Sequence, residues 1–473
     1  MKVEQIYTGC LAHGAYYIES NGEVAIIDPL RETEPYLQRA EKDGARIKYI
    51  LETHFHADFV SGHLDLATKT AGTIVYGPTA KPAFPAYVGK HGEKLKLGNV
   101  EIELLHTPGH TMESSCFLLY DENGKPTALF TGDTLFIGDV GRPDLAQHVI
   151  AELTQEKLAD HLYDSLRTVI LPLPDDLVVY PGHGAGSACG KKMSSETTDT
   201  LGHQKATNYA LRPGLSKDEF RTELLTGLTP PPAYFPQNVL MNIKGYESLD
   251  EVMHRGMTPL TPIAFEAAVA ETDALVLDTR KPEDFIRGYI PGSINIGIDG
   301  NFAPWAGALI PDVQQDILLV CEPGREEEVI IRLSRVGFDH TIGYLNGGFE
   351  AWKKAGNAID QIQSVSTQAF ASAYKNNPEL PILDVRKQSE YDSEHILGAV
   401  NAPLDYVNES MLLAETDKTW YVHCAGGYRS VIFISILQAR GYRNLINVEG
   451  GFKAIKDTGE FRISEYHSPA TML

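Results

Sequence analysis

The sequence predicts an α/β protein built as one large domain followed by a tandem pair of smaller ones. Over residues 1–245, short apolar runs repeatedly end in histidine, aspartate or glycine, as strands do when their tips carry functional loops. From residue 258 onward, a set of landmarks occurs twice at near-constant spacing. At 473 residues the chain is also too long for one core, and a prior of roughly 150 residues per domain suggests about three.

The strands of the first domain read in order as "EVAIIDP" (23–29), "IKYILETH" (47–54), "TIVYG" (73–77), "VEIELLHTPGH" (100–110), "TALFTGDT" (127–134) and "LVVYPGH" (177–183). The proline-rich "GLTPPPAYFPQNVLMNIKG" (227–245) closes this domain, and a linker of about a dozen residues is expected to end near "GMTPLTP" (256–262). In the repeat, "LVLDTRKPEDF" (275–285) returns as "PILDVRKQSEY" (381–391), and "IPGSIN" (290–295) as "ILGAVN" (396–401). "ILLVCEPGRE" (317–326) returns as "WYVHCAGGYR" (420–429), and "YLNGGFEAWKKAG" (344–356) as "NVEGGFKAIKDTG" (447–459). Asp278 to Asp384 and Gly292 to Gly398 each span 106 residues, and Cys321 to Cys424 spans 103. A period of that size is a duplicated α/β domain with a parallel sheet, too long for a solenoid unit. The expected boundaries are 1–245, 258–360 and 365–473.

Composition narrows the functions. The net charge is −22, from 41 Lys and Arg against 63 Asp and Glu, which argues against nucleic-acid or anionic-membrane partners. Among the longest apolar runs is "VIFISIL" (431–437), far short of the 18 or so residues a membrane helix needs. The opening "MKVEQIYTGC" has no basic start followed by an apolar stretch, so no signal peptide is expected. Five scattered cysteines (Cys10, Cys116, Cys189, Cys321, Cys424) suit reduced thiols and a cytoplasmic setting better than a disulfide framework.

"ETHFHADFVSG" (52–62) carries the pattern H-x-H-x-D, in which Phe59 stands where metal sites of this kind often continue with a further histidine. The candidate ligands are His54, His56, Asp58, His110 in "TPGHT", Asp133 in "TGDT" and His183 in "PGHG". A lone histidine is more often a packed or surface residue. Here separate segments each end a strand with a Gly-flanked His or Asp, and together with the tight first motif they point to a metal site.

This constellation resembles the metallo-β-lactamase superfamily, an αββα sandwich holding one or two metals at its strand ends. Within it, the motifs look most like the persulfide dioxygenases. That resemblance implies one Fe(II) per domain, held by His54, His110 and Asp133, with zinc as the alternative ion. Two imidazoles and a carboxylate leave open positions for dioxygen and a substrate sulfur. His56, Asp58 and His183 are then expected to orient the ligands or line the pocket. Phe59 departs from many persulfide dioxygenases and removes a nitrogen from any second ion, leaving Asp58, His183 and a bridging Asp133. Arg142, in "DTLFIGDVGRPDL" (133–145), reads equally as an anion-binding pocket residue and as a structural partner of Asp144 or Asp139.

"HCAGGYRS" (423–430) follows a predicted strand and precedes a predicted helix. Its glycines, Gly426 and Gly427, let backbone N–H groups turn inward as an anion cradle spanning Ala425 to Tyr428, and Arg429 adds positive charge. A free thiol of pKa about 8.5 is only a few per cent ionised at neutral pH, so such a cradle would activate Cys424. Each repeat resembles a rhodanese domain, and the likeness implies that Cys424 takes up a sulfane sulfur and passes it on. The first copy, "CEPGREEE" (321–328), is expected to be inactive: Pro323 removes an N–H, and Glu326 replaces the arginine.

Together the resemblances imply a sulfide-detoxifying enzyme that oxidises a low-molecular-weight thiol persulfide to sulfite and joins sulfite to a persulfide sulfur as thiosulfate. Persulfides of glutathione, coenzyme A or bacillithiol are the candidate substrates, with dioxygen and sulfite as the other small partners, and a homo-oligomer is expected. The rival readings are a zinc thioester hydrolase of the glyoxalase II type and a sulfur-relay carrier whose metal domain is vestigial.

Overall fold

Strands form where the apolar runs lie. A computed structural model of the chain describes residues 1–145 and 153–468. It divides into two compact units, residues 1–251 with 333–338, and residues 252–332 with 339–473.

The first unit holds two six-stranded sheets. One runs in spatial order β1 (Lys2–Thr8), β2 (His13–Ser20), β3 (Glu23–Ile27), β4 (Arg46–Leu51), β5 (Thr73–Tyr76) and β6 (Tyr87–Val88). The other comprises β7 (Glu93–Leu97), β8 (Val100–His106), β9 (Ser115–Tyr120), β10 (Pro126–Gly132), β11 (Val178–Pro181) and β12 (Asp199–Thr200), again in chain order across the sheet. Tyr16, Ile18, Ala25, Ile27, Leu51 and Val75 of the first sheet share one core with Ile102, Leu104, Phe117, Leu119 and Phe130 of the second. Alternation along β9 sends the intervening Cys116 and Leu118 to the other face, where they meet Ala159 and Leu162 of helix Gln155–Ser165. Helices Glu34–Lys42 and His63–Thr70 lie on the first sheet through β4 and β5. The result is the expected αββα sandwich.

The second unit holds two five-stranded, all-parallel sheets of identical topology. The first runs β13 (Pro259–Leu260), β17 (Thr341–Leu345), β16 (Ile317–Val320), β14 (Leu275–Asp278), β15 (Ile294–Asn295). The second runs β18 (Ser364–Val365), β22 (Leu445–Val448), β21 (Trp420–His423), β19 (Ile382–Asp384), β20 (Val400–Asn401). The repeated "LD-x-R" does the same work twice. Arg280 forks onto Asp278 and stacks over Phe349 at 4.1 Å, while Arg386 forks onto Asp384 and stacks over Phe452 at 3.9 Å.

One expectation fails here. The stretch expected to be a linker contains helix Leu249–Gly256. Its signal is local: Ser248 Oγ takes the Glu251 N–H at 3.3 Å and donates to the Glu251 carboxylate at 3.1 Å, while acidic residues open the helix and His254 and Arg255 close it.

Phe117 is fully buried between the two sheets of the first unit. Phe117→Ala is expected to cost about 3–5 kcal/mol, read as an earlier urea transition of that unit. A shift under about 1 kcal/mol would mean that the inter-sheet core does not hold the unit together.

Candidate metal centre and cysteine loops

Four strand ends converge on one buried site. His54 follows β4, His110 follows β8, Asp133 follows β10 and His183 follows β11, and none is more than 2% exposed. His54 Nε2 lies 3.9 Å and His110 Nε2 3.4 Å from Asp133 Oδ2. The other carboxylate oxygen, Oδ1, faces His183 Nε2 at 3.6 Å, and His183 Nε2 is 3.4 Å from Asp58 Oδ2. Gly182 permits this approach, because a Cβ there would stand 2.5 Å from Asp133 Oδ1.

Hydrogen bonds behind the site select the tautomers. Thr53 Oγ1 donates to Asp28 Oδ2 at 2.8 Å, so it accepts from His54 Nδ1 at 3.0 Å and leaves Nε2 as a lone pair. His110 Nδ1 donates to the Arg142 carbonyl at 2.7 Å, with the same result. Burial, then the neighbouring His56 and His110, hold the His54 pKa well below the ordinary imidazole value, which keeps it the neutral ligand a metal requires.

The donor set fits a cation. Among the described residues, His54 Nε2, His183 Nε2 and both Asp133 oxygens are buried and have no hydrogen-bond partner. Buried lone pairs that face one another are costly unless a positive charge stands among them. His54, His110 and Asp133 place their ligand atoms within 4.8 Å of one another. Two nitrogens and a carboxylate accept Fe(II) or Zn(II) alike.

His56 does not join this trio. Its Nε2 turns to Asp28 Oδ1 at 3.1 Å and Glu52 Oε2 at 3.4 Å. Burial alone would depress its pKa, but these two carboxylates outweigh burial and hold it well above the ordinary value. The wholly buried Phe59 ring stacks on His56 at 4.3 Å and also lies against His13 at 4.3 Å. Arg142 is buried, with Nε and Nη2 on Asp144 at 2.6 and 2.5 Å and further bonds to the Ala188 and Thr229 carbonyls. Its guanidinium is used in holding the loop whose carbonyl orients His110.

Sequence reasoning missed Asp28, Glu52 and Thr53 behind the histidines, and two further residues, Cys189 and Asn242. Cys189 is buried, and its sulfur shares a 4.8 Å cluster with ligand atoms of Asp58 and His183. Burial, then the Asp58 and Asp133 charges, push its thiol pKa well above the ordinary value. Its closeness to His183 in "PGHGAGSACGK" (181–191) was the available signal. Asn242 had none: from helix Phe235–Lys244 its Nδ2 donates to the His56 and Phe59 carbonyls, both at 2.8 Å, and its Oδ1 takes the Ser61 N–H at 2.9 Å. A cavity of about 330 Å³ opens beside His110, lined by Phe55, Met112, Leu145 and Ile243, with Lys81 and Glu113 as its charged groups.

In the second unit, Cys321 and Cys424 each follow the middle strand of a parallel sheet, β16 and β21, at its carboxyl end. The Gly427 N–H points at Cys424 Sγ from 3.1 Å, and Ser430 Oγ lies 3.7 Å away. Gly427 adopts φ +103°, a left-handed conformation that favours glycine. Ala425 and Gly426 are exposed, and the Tyr428 hydroxyl donates to the Gly297 carbonyl at 2.6 Å. Arg429 forks onto Glu390 at 2.6 and 2.9 Å, so its charge is shared with a carboxylate. In the first loop Glu326 accepts the Gly324 N–H at 2.8 Å, placing a carboxylate within the would-be anion cradle. Burial, then the Glu326 charge, raise the Cys321 pKa strongly.

Phe59→His is expected to raise the zinc content of zinc-loaded protein toward a second equivalent, measured by elemental analysis, and Cys189→Ser on that background is expected to lower it again. Equal metal content in wild type and Phe59→His would show that Phe59 does not set the number of ions.

The metallo-beta-lactamase superfamily profile matches residues 8–183, and the rhodanese-like domain profile matches residues 261–355 and 367–458. A probable hydroxyacylglutathione hydrolase of Schizosaccharomyces pombe is 34% identical over 183 residues, covering 38% of this chain and 66% of the relative. The chain thus spans slightly less than two thirds of that relative's length. The hydroxyacylglutathione hydrolase GloC of Haemophilus influenzae is 32% identical over 193 residues, covering 36% of this chain and 84% of the relative. A crystal structure described as a metallo-beta-lactamase from Staphylococcus aureus is 32% identical with a TM-score of 0.64, covering 73% of this chain and 99% of that one. With a buried His–His–Asp site at the strand ends of an αββα sandwich, the chain belongs to the metallo-beta-lactamase superfamily and carries two rhodanese-like domains after its catalytic fold.

Proposed function

We propose that this chain is an iron-dependent persulfide dioxygenase joined to a sulfurtransferase. One observation carries the reading: a buried two-imidazole, one-carboxylate site and a cysteine loop with an N–H on its sulfur occur in the same polypeptide. A thioester hydrolase has no use for the second. The substrate would be a low-molecular-weight thiol persulfide of the glutathione, coenzyme A or bacillithiol class, with dioxygen and sulfite as the other reactants, in a cytoplasmic setting.

Overall, the terminal persulfide sulfur gains both atoms of dioxygen and the oxygen of one water, leaving thiol, sulfite and two protons. His54, His110 and Asp133 would hold one Fe(II), which when bound supplies oxygen activation and a position for the substrate sulfur. The protein's own contribution is orientation and dryness. Asp28, through Thr53, and the Arg142 carbonyl fix the two imidazoles, and the apolar cavity beside His110 seats the thiol carrier away from water. Lys81, exposed at this cavity, can meet an acidic group of that carrier.

At the second site, the Cys424 thiolate attacks the outer sulfur of a persulfide, the S–S bond breaks, and the carrier leaves as thiol. Sulfite then attacks the new outer sulfur of Cys424, releasing thiosulfate and restoring the thiolate. The Gly427 N–H steadies negative charge at Sγ. The first copy, its loop N–H taken by Glu326, would transfer no sulfur.

The hydroxyacylglutathione hydrolases among the relatives favour a second reading, thioester hydrolysis at a zinc-loaded site, for which Asp58, His183 and Cys189 offer donors to another ion. Oxygen uptake with glutathione, coenzyme A or bacillithiol persulfide, set beside hydrolysis of S-lactoylglutathione, separates the two. Uptake is expected in Fe(II)-loaded protein, abolished in His110→Ala. Thiosulfate formation should vanish in Cys424→Ser while oxygen uptake persists. Chelation of the iron should stop oxygen uptake and leave sulfur transfer intact. Rapid thioester hydrolysis without oxygen uptake would replace this reading with the hydrolase.

A further inference from the structure

The helix that begins at the Cys424 loop, Tyr428–Ala439, has no polar face: Val431, Ile432, Phe433, Ile434, Ile436 and Leu437 are all buried. Such a helix must be covered on every side. Its own sheet covers one side through β21 and β22, and the first repeat covers another through β15. Polar contacts fix that second side. Ser435 Oγ accepts the Asn295 N–H at 3.0 Å, and Gln438 accepts the Tyr289 hydroxyl.

The contact nearest the sulfur is Tyr428. Its hydroxyl donates to the Gly297 carbonyl at 2.6 Å, and its ring lies over Gly297 and Gly300. A Cβ on Gly300 would stand 2.4 Å from Tyr428 Cζ, and one on Gly297 would stand 3.2 Å from Cε2. Neither glycine has a positive φ of the kind that favours glycine; space for the ring explains Gly300, while a Cβ on Gly297 would also crowd the Arg280 carbonyl at 3.3 Å and Pro282 Cδ at 3.4 Å. The duplication supports this. At the 106-residue spacing, "IGIDG" (296–300) aligns with "APLDY" (402–406), so the second copy has Pro403 and Tyr406 where the first has its glycines. Only the first copy receives the other's loop tyrosine.

Resting on the sulfurtransferase reading above, we infer that the first rhodanese-like domain is a positioning element for the second. Tyr428, seated over Gly297 and Gly300, holds the Gly427 N–H on Cys424 Sγ. The loop is then fixed at two adjacent residues, Tyr428 to the neighbouring repeat and Arg429 to Glu390 of its own. Tyr428 touches neither sulfur nor acceptor in this role. It acts through the peptide that precedes it.

The test uses the full chain and four variants: Tyr428→Phe, which removes one hydrogen bond; Gly300→Ala, which displaces the ring; Tyr428→Ala; and Tyr428→Ala combined with Gly300→Ala. Thiosulfate-to-cyanide sulfur transfer gives kcat and KM, and iodoacetamide alkylation of the Cys424 peptide against pH gives the thiol's titration. Tyr428→Phe is expected to lower kcat about threefold to tenfold, the usual scale for one hydrogen bond, with KM nearly unchanged and the alkylation profile moved to higher pH. Gly300→Ala is expected to act at least as strongly, and to add nothing once Tyr428 is alanine. Iron content and oxygen uptake should stay at wild-type levels. Wild-type kcat and alkylation profile in both Tyr428→Phe and Gly300→Ala would overturn the inference, as would full additivity in the double variant. Absence of sulfur transfer in wild type would refute the sulfurtransferase reading, while the alkylation profiles still test whether Tyr428 positions the loop.

Discussion

The Asp133 carboxylate is the constraint on which the first domain is organised. Among the described residues, neither of its buried oxygens has a hydrogen-bond donor, one facing His54 and His110, the other facing His183. A carboxylate left dry and unpaired costs several kcal/mol. Folding can tolerate that only where a cation completes the site or the sandwich holds the loops regardless. The donor set fits the first condition, and the fold supplies the second. Gly182 allows the close approach, and the strand ends that carry the four side chains are rooted in the inter-sheet core.

From that carboxylate outward, the neighbours divide the work of orienting the histidines. Asp28 sets His54 through Thr53 and also pairs with His56, while the Arg142 carbonyl sets His110. This explains why the second histidine of H-x-H-x-D leaves the ligand group. With Asp28 and Glu52 both buried beside it, a charged His56 lowers the cost of two carboxylates in the same interior. Phe59 then fits its surroundings, since its ring covers the face of His56 and has no polar atom that would compete for Asp58 or His183.

Much of this was legible in the sequence because strands and ligands are local signals. The β4, β8, β10 and β11 runs are apolar segments that stop at a histidine or aspartate, and the 106-residue period exposes the duplication without any structure. What stayed hidden is long-range or ambiguous. Asn242 pins the His56–Ser61 loop from more than 180 residues away, and nothing in "NVLMNIK" marks it. Arg142 had two readings of equal weight, and only the Asp144 geometry separates them. Helix Leu249–Gly256 is different: Ser248, three residues before Glu251, is a local start signal that lies just beyond a proline-rich stretch.

The tandem repeat shows how duplication divides labour under packing constraints. Both copies keep the Asp–Arg fork and its aromatic stack, at the end of the same strand of each sheet. The cysteine loops diverge, since a loop exposed at one strand end contributes little to the core. In the first copy Glu326 has folded onto the Gly324 N–H, so the loop satisfies itself and no longer needs an anion. Once that loop is self-satisfied, the first copy's remaining contribution is the surface it presents. Gly297 and Gly300 give that surface a hollow for an aromatic ring, beside a carbonyl that accepts its hydroxyl. The second copy keeps its loop N–H on sulfur, and the helix behind that loop, buried from Ser430 to Gln438, needs cover on every side. On the inference drawn above, the copy whose loop N–H is taken by its own glutamate serves the other copy by holding its loop.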